Sequence, residues 1–497
     1  MKESAESIVP QHNLWEGLNL LTIKDVAKMR KDREQQKNAG SKQLAMFTTK
    51  GEPVIEAASG ICKDNESGVE ITSRLEQQRT LTENILERIV DYGNLDKAYR
   101  QVKSNAGSSG VDDMEVEELR QWLGSNIKAL QESILQEQYQ ISAVRKVEIS
   151  KLDGGTRMLG IPTVKDRMIQ QAIHQELNRY YEPHFSEHSY GFRKGRSAKQ
   201  AIVQASCYIA EGKEWVVDID LEKFFDKINH DRLMQRLSKG IGDKRLLRLI
   251  NACLKAEIMT DGLLEQRISG TPQGSPLSPL LSNIVLDELD KELEKRGLSF
   301  CRYADDCNIY VRSRKAGERV LKSLTDFIER KLKLKVNREK SGVRHCSLVK
   351  FLGYTILPEG KIRVADKSIE RLKSKIKAFT KRNRGVRLEQ IVLELNKVIV
   401  GWTNYFHLAN CWLTTFRDLD GWLRRKLRCY RLKQCGRKYT IYKFLRSFGI
   451  PETTSWNVVM YSQGWWKMSQ KKAAGKAMNS LWFSQMGLQS LQVRMSR

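Results

Sequence analysis

Two adjacent carboxylates, Asp305 and Asp306, lie between short runs of apolar and aromatic residues. Such runs predict strands, so we expect the pair at the turn of a β-hairpin. Residues 215–221 predict a second buried strand, on which Asp218 and Asp220 share one face because side chains alternate along a strand. If this strand lies beside the hairpin, Asp220 and Asp305 could hold two divalent ions, an arrangement that stabilises both the attacking and the leaving oxygen of a displacement.

The carboxylates have a simpler interpretation, because an isolated Asp-Asp dipeptide is more often a solvated turn than a metal site. Their apolar flanks, however, make uncompensated charge costly, which favours a bound cation. Carboxylates suit Mg²⁺, a hard cation that keeps positions open for substrate phosphates, and Mn²⁺ is a possible substitute. A stiff, turn-rich segment, residues 270–279, lies between the two acidic stretches and opens an apolar run.

Three sequence boxes resemble the reverse transcriptase family and occur in the family's order: Asp-Leu-Glu-Lys-Phe-Phe-Asp at 220–226, Pro-Gln-Gly at 272–274 and Tyr-Ala-Asp-Asp at 303–306. The chain looks most like the reverse transcriptase–maturases encoded by bacterial group II introns. The resemblance implies a catalytic and metal-binding set, with Asp218 in support: Asp220, Leu221 through its backbone carbonyl, Asp305 and Asp306.

A basic hairpin is predicted by Asp-Gly-Gly at 153–155, a strong turn signal that places Lys151 and Arg157 on its two arms. Arg offers phosphate a planar fork and Lys a point charge, although a basic hairpin can also be merely solvated. In the resembling family the matching Lys and Arg grip the triphosphate of the incoming nucleotide.

Three more nucleotide-site residues follow from the resemblance. Phe225, five residues after Asp220, would pack under the sugar and exclude a 2′-hydroxyl, although both Phe224 and Phe225 could be core. Gln273 would contact the nucleotide from the palm, and Lys340 would lie near the active site.

The composition indicates a polyanionic partner, because the formal net charge is +27 and neutralised phosphates release counterions. No apolar run of about 18 residues and no signal-peptide core is present, so we expect a cytoplasmic protein without a membrane partner. The resemblance implies that it is bacterial and nucleoid-associated. The nine cysteines show no paired C-x-x-C spacing, which argues against a zinc site.

Basic residues mixed with aromatics, or free of acids, predict contacts with RNA or DNA. The box around Tyr190 supplies two candidates, and the acid-free run that ends at Lys438 supplies five more, although either group could be ordinary surface charge. The predicted residues are Arg193, Arg196, Arg424, Arg425, Lys426, Arg428 and Arg431.

The resemblance implies an α+β right-hand polymerase, followed by an all-helical thumb/maturase domain and a short basic C-terminal tail. The predicted segments are a weakly ordered extension at 1–77, fingers and palm at 78–360, thumb/maturase at 361–445 and a DNA-binding tail at 446–497. Residues 401–406 resemble the maturase Gly-Trp-x-x-Tyr-Phe box. No His follows His407 and no Cys follows Cys435, so we expect this chain to lack the family's endonuclease domain.

The predicted function is that of an RNA-directed DNA polymerase, a nucleotidyltransferase that extends a DNA primer on an RNA template with dNTPs. The resemblance adds binding of its own group II intron RNA, to assist splicing and retrohoming into target DNA by target-primed reverse transcription. Two alternatives stay open: a free-standing reverse transcriptase in defence or repair, and an RNA-binding cofactor for splicing only.

Overall fold

The computed structural model describes residues 84–150, 156–260, 263–265 and 269–496, without the side chains of Ser150 and Arg157. These residues belong to one compact unit of the chain. The predicted extension at 1–77 and the predicted nucleotide ligand Lys151 lie outside the described residues. No helix of the described part is long and apolar enough to span a bilayer.

The fingers begin with three helices: α1 (Ile85–Val90), α2 (Tyr92–Asn105) and α3 (Leu119–Leu135). The predicted basic hairpin is confirmed, because β1 (Val144–Ser150) pairs antiparallel with β2 (Thr156–Ile161). Helix α4 (Val164–Tyr181) begins after Thr163, whose side-chain oxygen accepts a hydrogen bond from the Asp166 amide and caps the helix.

The palm alternates helices with short strands. Its elements are α5 (Ala198–Ala210), β3 (Trp215–Ile219), α6 (Phe224–Lys227), α7 (His230–Gly240), α8 (Lys244–Lys255), β4 (Ile258–Thr260), β5 (Leu263–Glu265), α9 (Ser278–Lys295), β6 (Ser299–Tyr303), β7 (Asp306–Val311), α10 (Arg314–Phe327) and β8 (Gly342–His345). Strands β1 to β8 form two sheets, one in the order β2-β1-β4-β5 and the other in the order β6-β7-β3-β8.

The second of these sheets positions the acidic residues. β3 lies beside β7 with Ile219 opposite Cys307, and β6 pairs with β7, all antiparallel. The acidic strand therefore flanks the Asp-Asp hairpin, which was the condition for a shared metal site. Apolar side chains at Val217, Phe300 and Ile309 are fully buried beneath the sheet, which fixes the register of its strands.

The thumb and tail are helical after a small β-ribbon. The elements are β9 (Tyr354–Ile356), β10 (Ile362–Val364), α11 (Asp366–Phe379), α12 (Leu388–Phe406), α13 (Thr414–Cys435), α14 (Lys438–Arg446), α15 (Glu452–Tyr461), α16 (Gly464–Met468), α17 (Lys472–Ala477), α18 (Ser480–Gln485) and α19 (Leu491–Met495). The predicted change from an α+β region to an all-helical region is confirmed.

The predicted tail is an integral part of this helical bundle rather than an appendage. Asp420 of α13 is buried and accepts hydrogen bonds from the Ser490 hydroxyl at 2.6 Å and the Leu491 amide at 2.9 Å, which caps α19. Arg494 of α19 donates to the Thr403 hydroxyl of α12 at 2.7 Å. The last segment thus completes the thumb, and the predicted boundary at 445/446 does not divide two packing units.

The Gly-Trp-x-x-Tyr-Phe box at the end of α12 joins the thumb to the palm. The Tyr405 hydroxyl donates to the Leu352 carbonyl at 2.9 Å, and the Tyr354 hydroxyl donates to the Tyr405 carbonyl. Gly353 has φ +85°, and a Cβ there would lie 3.2 Å from the Phe406 ring, so glycine permits this close approach. The aromatic box therefore anchors the 351–354 turn.

Candidate active site

The acidic residues meet where three strand ends converge. Ala304 and Asp305 form the two-residue turn between β6 and β7, and Asp306 is the first residue of β7, opposite Tyr303. Asp220 follows directly after β3, whose last residue lies beside the start of β7. This confirms that the Asp-Asp pair is at a hairpin turn, although only Asp305 occupies the turn itself.

The turn has a strained backbone, because Ala304 adopts φ +59°, a region that residues other than glycine rarely occupy. Gly191 packs directly underneath, where an added Cβ would lie 2.2 Å from the Ala304 amide nitrogen. Gly191, in the box around Tyr190, is therefore required by this close approach.

A fully buried polar network holds the turn from below. Arg302 forms an ion pair with Asp290 of α9, with bonds of 2.7 Å and 2.5 Å, and both side chains are 0% exposed. The Arg302 guanidinium also donates to the Ala304 carbonyl at 2.9 Å and to the Asn283 side-chain oxygen at 3.0 Å. Asn283 in turn donates to the Gly191 carbonyl at 2.9 Å. This network was not predicted from the sequence, although an Arg inside an apolar strand signals a buried partner.

Mutual repulsion and burial raise the pKa values of two carboxyl groups. Burial, together with the nearby charges of Asp218, Asp305 and Asp220, raises the pKa of Asp306 to about 8. Burial also raises the pKa of Asp218 to about 6, although the Arg344 guanidinium, 3.2 Å away, opposes this shift. The cluster therefore favours an added cation.

The donor set fits a hard divalent cation in its chemistry. Antiparallel bonds join the Asp220 carbonyl to the Asn337 amide at 2.9 Å and the Glu222 amide to the Lys335 carbonyl at 2.8 Å. The Leu221 carbonyl between them takes no part in either bond. Among the described residues, however, no three acidic, His or Cys side chains are already assembled as a metal cluster. The Lys340 ammonium instead lies 3.9 Å from the Asp220 carboxylate.

Two of the predicted nucleotide-site residues, Phe225 and Gln273, are linked through residues 271–273. Phe225 is half-buried, with its ring edge-on to Phe192 at 6.5 Å, whereas Phe224 is 2% exposed and belongs to the core. The Thr271 amide donates to the Phe225 carbonyl at 2.7 Å, which ties the Pro-Gln-Gly segment to this position. The Gln273 side chain donates to Asp226 at 3.2 Å.

The fingers hairpin is attached to the same segment. The Gly160 amide of β2 donates to the Gln273 carbonyl at 2.9 Å, and a Cβ on Gly274 would lie 2.9 Å from the Gly160 carbonyl oxygen. Arg157 is a residue of β2, opposite Ile149, and its side chain is outside the described part. The base of the hairpin is therefore fixed close to Gln273.

The prediction that Arg193 binds nucleic acid is wrong. Its side chain is 3% exposed and donates to the Glu182 carboxylate at 2.8 Å and to the Ser186 and Ser189 carbonyls. Arg193 therefore orders the loop that carries Gly191. Arg196 is 25% exposed and forms an ion pair with Glu187, so part of its side chain stays accessible.

The basic residues of α13 divide between two roles. Arg425 stacks on the Trp466 ring, 3.8 Å from its centroid, and Arg428 donates to the Met478 carbonyl at 3.0 Å. Burial, with repulsion from Arg424 and Arg425, lowers the pKa of Arg428. Arg425 and Arg428 therefore help to hold the tail against α13. Both are half-buried, and their role in nucleic-acid binding stays a prediction.

Arg424, Lys426 and Arg431 are half-buried on α13. Lys426 lies over Trp466, with its ammonium 4.8 Å from the ring centroid, and also lines a surface cleft. Arg431 lies over the Phe444 ring at 5.0 Å. Among the described residues, no hydrogen bond, ion pair or ring contact joins Arg424 to the tail, and its nucleic-acid role stays a prediction.

Comparison with known proteins finds two family models in consecutive parts of the chain. Residues 149–356 match the reverse transcriptase (RNA-dependent DNA polymerase) model, and residues 369–449 match the group II intron maturase-specific domain. Protein YkfC of Escherichia coli is 32% identical over 278 residues, which cover 48% of this chain and 73% of YkfC. The chain belongs to the group II intron reverse transcriptase–maturase family. Its reverse transcriptase domain is that of an RNA-directed DNA polymerase, a family that generally uses divalent metal ions.

Other reverse transcriptase–maturase relatives are longer than the matched region. The group II intron-encoded protein LtrA of Lactococcus lactis is 31% identical over 52% of this chain and 54% of its own length. The putative COX1/OXI3 intron 2 protein of Saccharomyces cerevisiae is 28% identical over 58% of this chain and 41% of its own. Among solved structures, a partial Cas6-RT-Cas1–Cas2 complex matches 49% of this reverse transcriptase–maturase and 42% of that chain, with 28% identity and a TM-score of 0.33.

Proposed function

We propose that this chain extends a DNA primer on an RNA template with deoxynucleotides, using two Mg²⁺ ions, and binds group II intron RNA to assist splicing and retrohoming into target DNA. Mn²⁺ would serve as a substitute. The observation that carries the proposal is the meeting of Asp220, Asp305 and Asp306 at one end of the palm sheet, inside a chain with both family domains. A cytoplasmic, nucleoid-associated location follows from these partners.

Each acidic residue has a place in this proposal. Asp220, Asp305, Asp306 and the Leu221 carbonyl would hold the ions, which stabilise the attacking 3′-oxygen and the leaving pyrophosphate oxygen when bound. The raised pKa of Asp306 favours this assignment, because a half-buried carboxylate close to other carboxylates gains most from a cation. Asp218 would act in support, oriented by Arg344.

The nucleotide would lie between the fingers hairpin and the palm sheet. Lys151 and Arg157 would grip its triphosphate, and Gln273, fixed beside β2, would contact it from the palm. Phe225 would pack under the sugar, since its ring is half-buried and its backbone carbonyl is bonded to the Thr271 amide next to the Pro-Gln-Gly segment. Lys340, which lies 3.9 Å from Asp220, would turn its ammonium to a phosphate once cations neutralise that carboxylate.

The RNA partner is supported by the maturase-specific domain and by the net charge of +27. RNA of this kind is recognised through shape, 2′-hydroxyls and unpaired bases. Arg196, Arg424, Arg425, Lys426, Arg428 and Arg431 remain candidates for phosphate contacts, and the bundle that includes the 446–497 tail would also contact target DNA.

The experiment compares the wild-type chain with Asp305→Ala, Asp306→Ala and Asp220→Ala in primer extension on an RNA template and in splicing of a precursor that contains the intron. We expect each substitution to abolish DNA synthesis and to leave splicing largely intact, because the basic residues lie elsewhere. Near wild-type synthesis by Asp305→Ala would contradict the two-ion assignment. A wild-type chain that promotes splicing but makes no DNA would instead favour the splicing-only alternative.

A further inference from the structure

A basic cleft of about 490 Å³ opens between the end of α11, helix α13 and helix α16. Five cations and a tryptophan line it, and no acidic residue does. These residues are Lys377, Lys381, Arg382, Lys426, Lys433 and Trp465. The volume lies in the range of small-ligand sites, about 300–1,000 Å³. The cleft is remote in sequence from the carboxylates of the candidate active site.

The five cations of the cleft are free of ion pairs within the described part of the chain. Lys426 and Lys433 are seven residues apart on α13, so they lie on one face two helical turns apart. Lys377, Lys381 and Arg382 are exposed at the end of α11. Such an array without counter-charge is costly in isolation and is stabilised by phosphates.

Two adjacent tryptophans of α16 have different surroundings. The Trp466 ring is covered by Arg425 at 3.8 Å and by Lys426 at 4.8 Å. Trp465 is half-buried, lines the cleft, and stacks with no other ring or cation among the described residues. An aromatic face beside phosphate-binding cations is the combination that binds unpaired nucleotides.

We propose that this cleft binds a single unpaired RNA nucleotide, with its base stacked on Trp465 and its flanking phosphates held by the lysines of α11 and α13. The inference rests on the proposed function in that RNA is the partner. A duplex does not satisfy both contacts, because its bases are already stacked within the helix. The cleft would therefore select a bulged or flipped-out position in the intron RNA.

The test uses the full chain and a fluorescein-labelled, ten-nucleotide oligouridylate RNA, with binding followed by anisotropy. The solution contains neither dNTPs nor divalent cations, so polymerase chemistry does not affect the result, and primer extension by the wild type is scored separately. We expect Trp465→Ala to weaken binding by about 5- to 100-fold, the range given by loss of one stacked base. Trp465→Phe keeps a ring and should restore most of the affinity.

A charge variant and its control test the phosphate contacts. Lys426→Gln with Lys433→Gln should weaken binding and reduce the salt slope by about 1.4, roughly 0.7 for each phosphate contact on a single strand. Lys315→Gln with Lys322→Gln makes the same charge change on exposed positions of α10 and should leave the salt slope unchanged. An unchanged affinity in Trp465→Ala, or equal competition by a blunt RNA duplex, would overturn the proposal.

Crosslinking locates the bound base independently of other basic surfaces. The same RNA with one 4-thiouridine is irradiated on the wild-type chain, and mass spectrometry identifies the crosslinked residue. We expect a crosslink at Trp465 that disappears when a complementary strand is added. Crosslinks confined to other residues would overturn the assignment even if the affinity changes are as expected.

Discussion

Asp306 is a carboxyl group whose ionisation the fold opposes. Burial and three neighbouring carboxylates raise its pKa to about 8, so the metal-free protein holds a proton there at neutral pH. A group with a raised folded-state pKa stabilises the fold fully below its unfolded pKa of about 4, and this contribution is lost as the pH rises through 8. Asp218 has a pKa of about 6, so its contribution to stability is already lost when the pH rises through about 6.

The metal-free chain should therefore become less stable between pH 6 and pH 8, and Mg²⁺ should raise the Tm more at pH 8 than at pH 6. The reason is that the ligand must be deprotonated, so metal binding releases protons. Thermal unfolding with EDTA and with Mg²⁺ measures both effects. In Asp306→Asn, the rise in Tm caused by Mg²⁺ should differ less between pH 6 and pH 8. Asp231→Asn, at an exposed position of α7, should leave this difference unchanged.

Alanine substitutions at Phe225 and at Phe224 should have different effects, the first on sugar discrimination and the second on stability. Phe225→Ala should reduce discrimination against ribonucleotides by about tenfold or more, because the half-buried ring would no longer exclude the 2′-hydroxyl. Phe224→Ala should lower the free energy of unfolding by about 3–5 kcal/mol, since it removes a buried ring. Single-nucleotide incorporation with dNTPs and rNTPs compares the two variants. Unchanged discrimination in Phe225→Ala would assign the sugar contact to another residue.

The hairpin β6–β7 depends on polar groups from elements distant in sequence. Alternating apolar residues predict its strands, and the sequence boxes predict the acids that it carries. The sequence pattern does not show that Asp290 of α9 and Gly191 support the turn, because these contacts join residues more than ten positions apart. For the same reason, the basic run on α13 could not be divided into inward and outward residues: Arg425 and Arg428 depend on a tail whose packing has no local sequence signal.

Breaking the buried ion pair should destabilise the palm strongly. Arg302→Met leaves Asp290 charged and unpaired, with an expected loss of about 3–5 kcal/mol in chemical denaturation. Asp290→Leu combined with Arg302→Met should recover part of that stability. The double variant should nevertheless extend primers poorly, because the bond from Arg302 to the Ala304 carbonyl is also lost. Wild-type extension by the double variant would show that the network supports only the fold.

On the scale of the whole molecule, the thumb and the tail share one core. In the tail, Met478, Phe483 and Leu491 are at most 1% exposed. Asp420 of α13 caps the last described helix. The maturase-specific match ends at residue 449, but the packing continues beyond it. The sequence predicted a helical region here and placed a boundary inside it, because a basic, aromatic composition does not distinguish a docked segment from a free one.

Asp420→Ala should lower the stability of the thumb by about 1–2 kcal/mol, the effect of losing a helix cap with its buried acceptor. Limited proteolysis should then cleave between 487 and 491 faster than in the wild type. Asp418→Ala, two residues earlier and 76% exposed, is the matched control and should change neither measurement. Equal proteolysis of both variants would indicate that the tail docks without this cap.

The left-handed backbone of Ala304 lowers the stability of the turn but helps to position the neighbouring carboxylates. Ala304→Gly would relieve about 1–2 kcal/mol of conformational strain, since glycine adopts φ +59° without steric conflict. The same change would give the two neighbouring carboxylates more freedom, at the place where their positions matter most. Selection of heat-resistant variants would therefore favour glycine at this turn, and selection for rapid DNA synthesis would restore alanine.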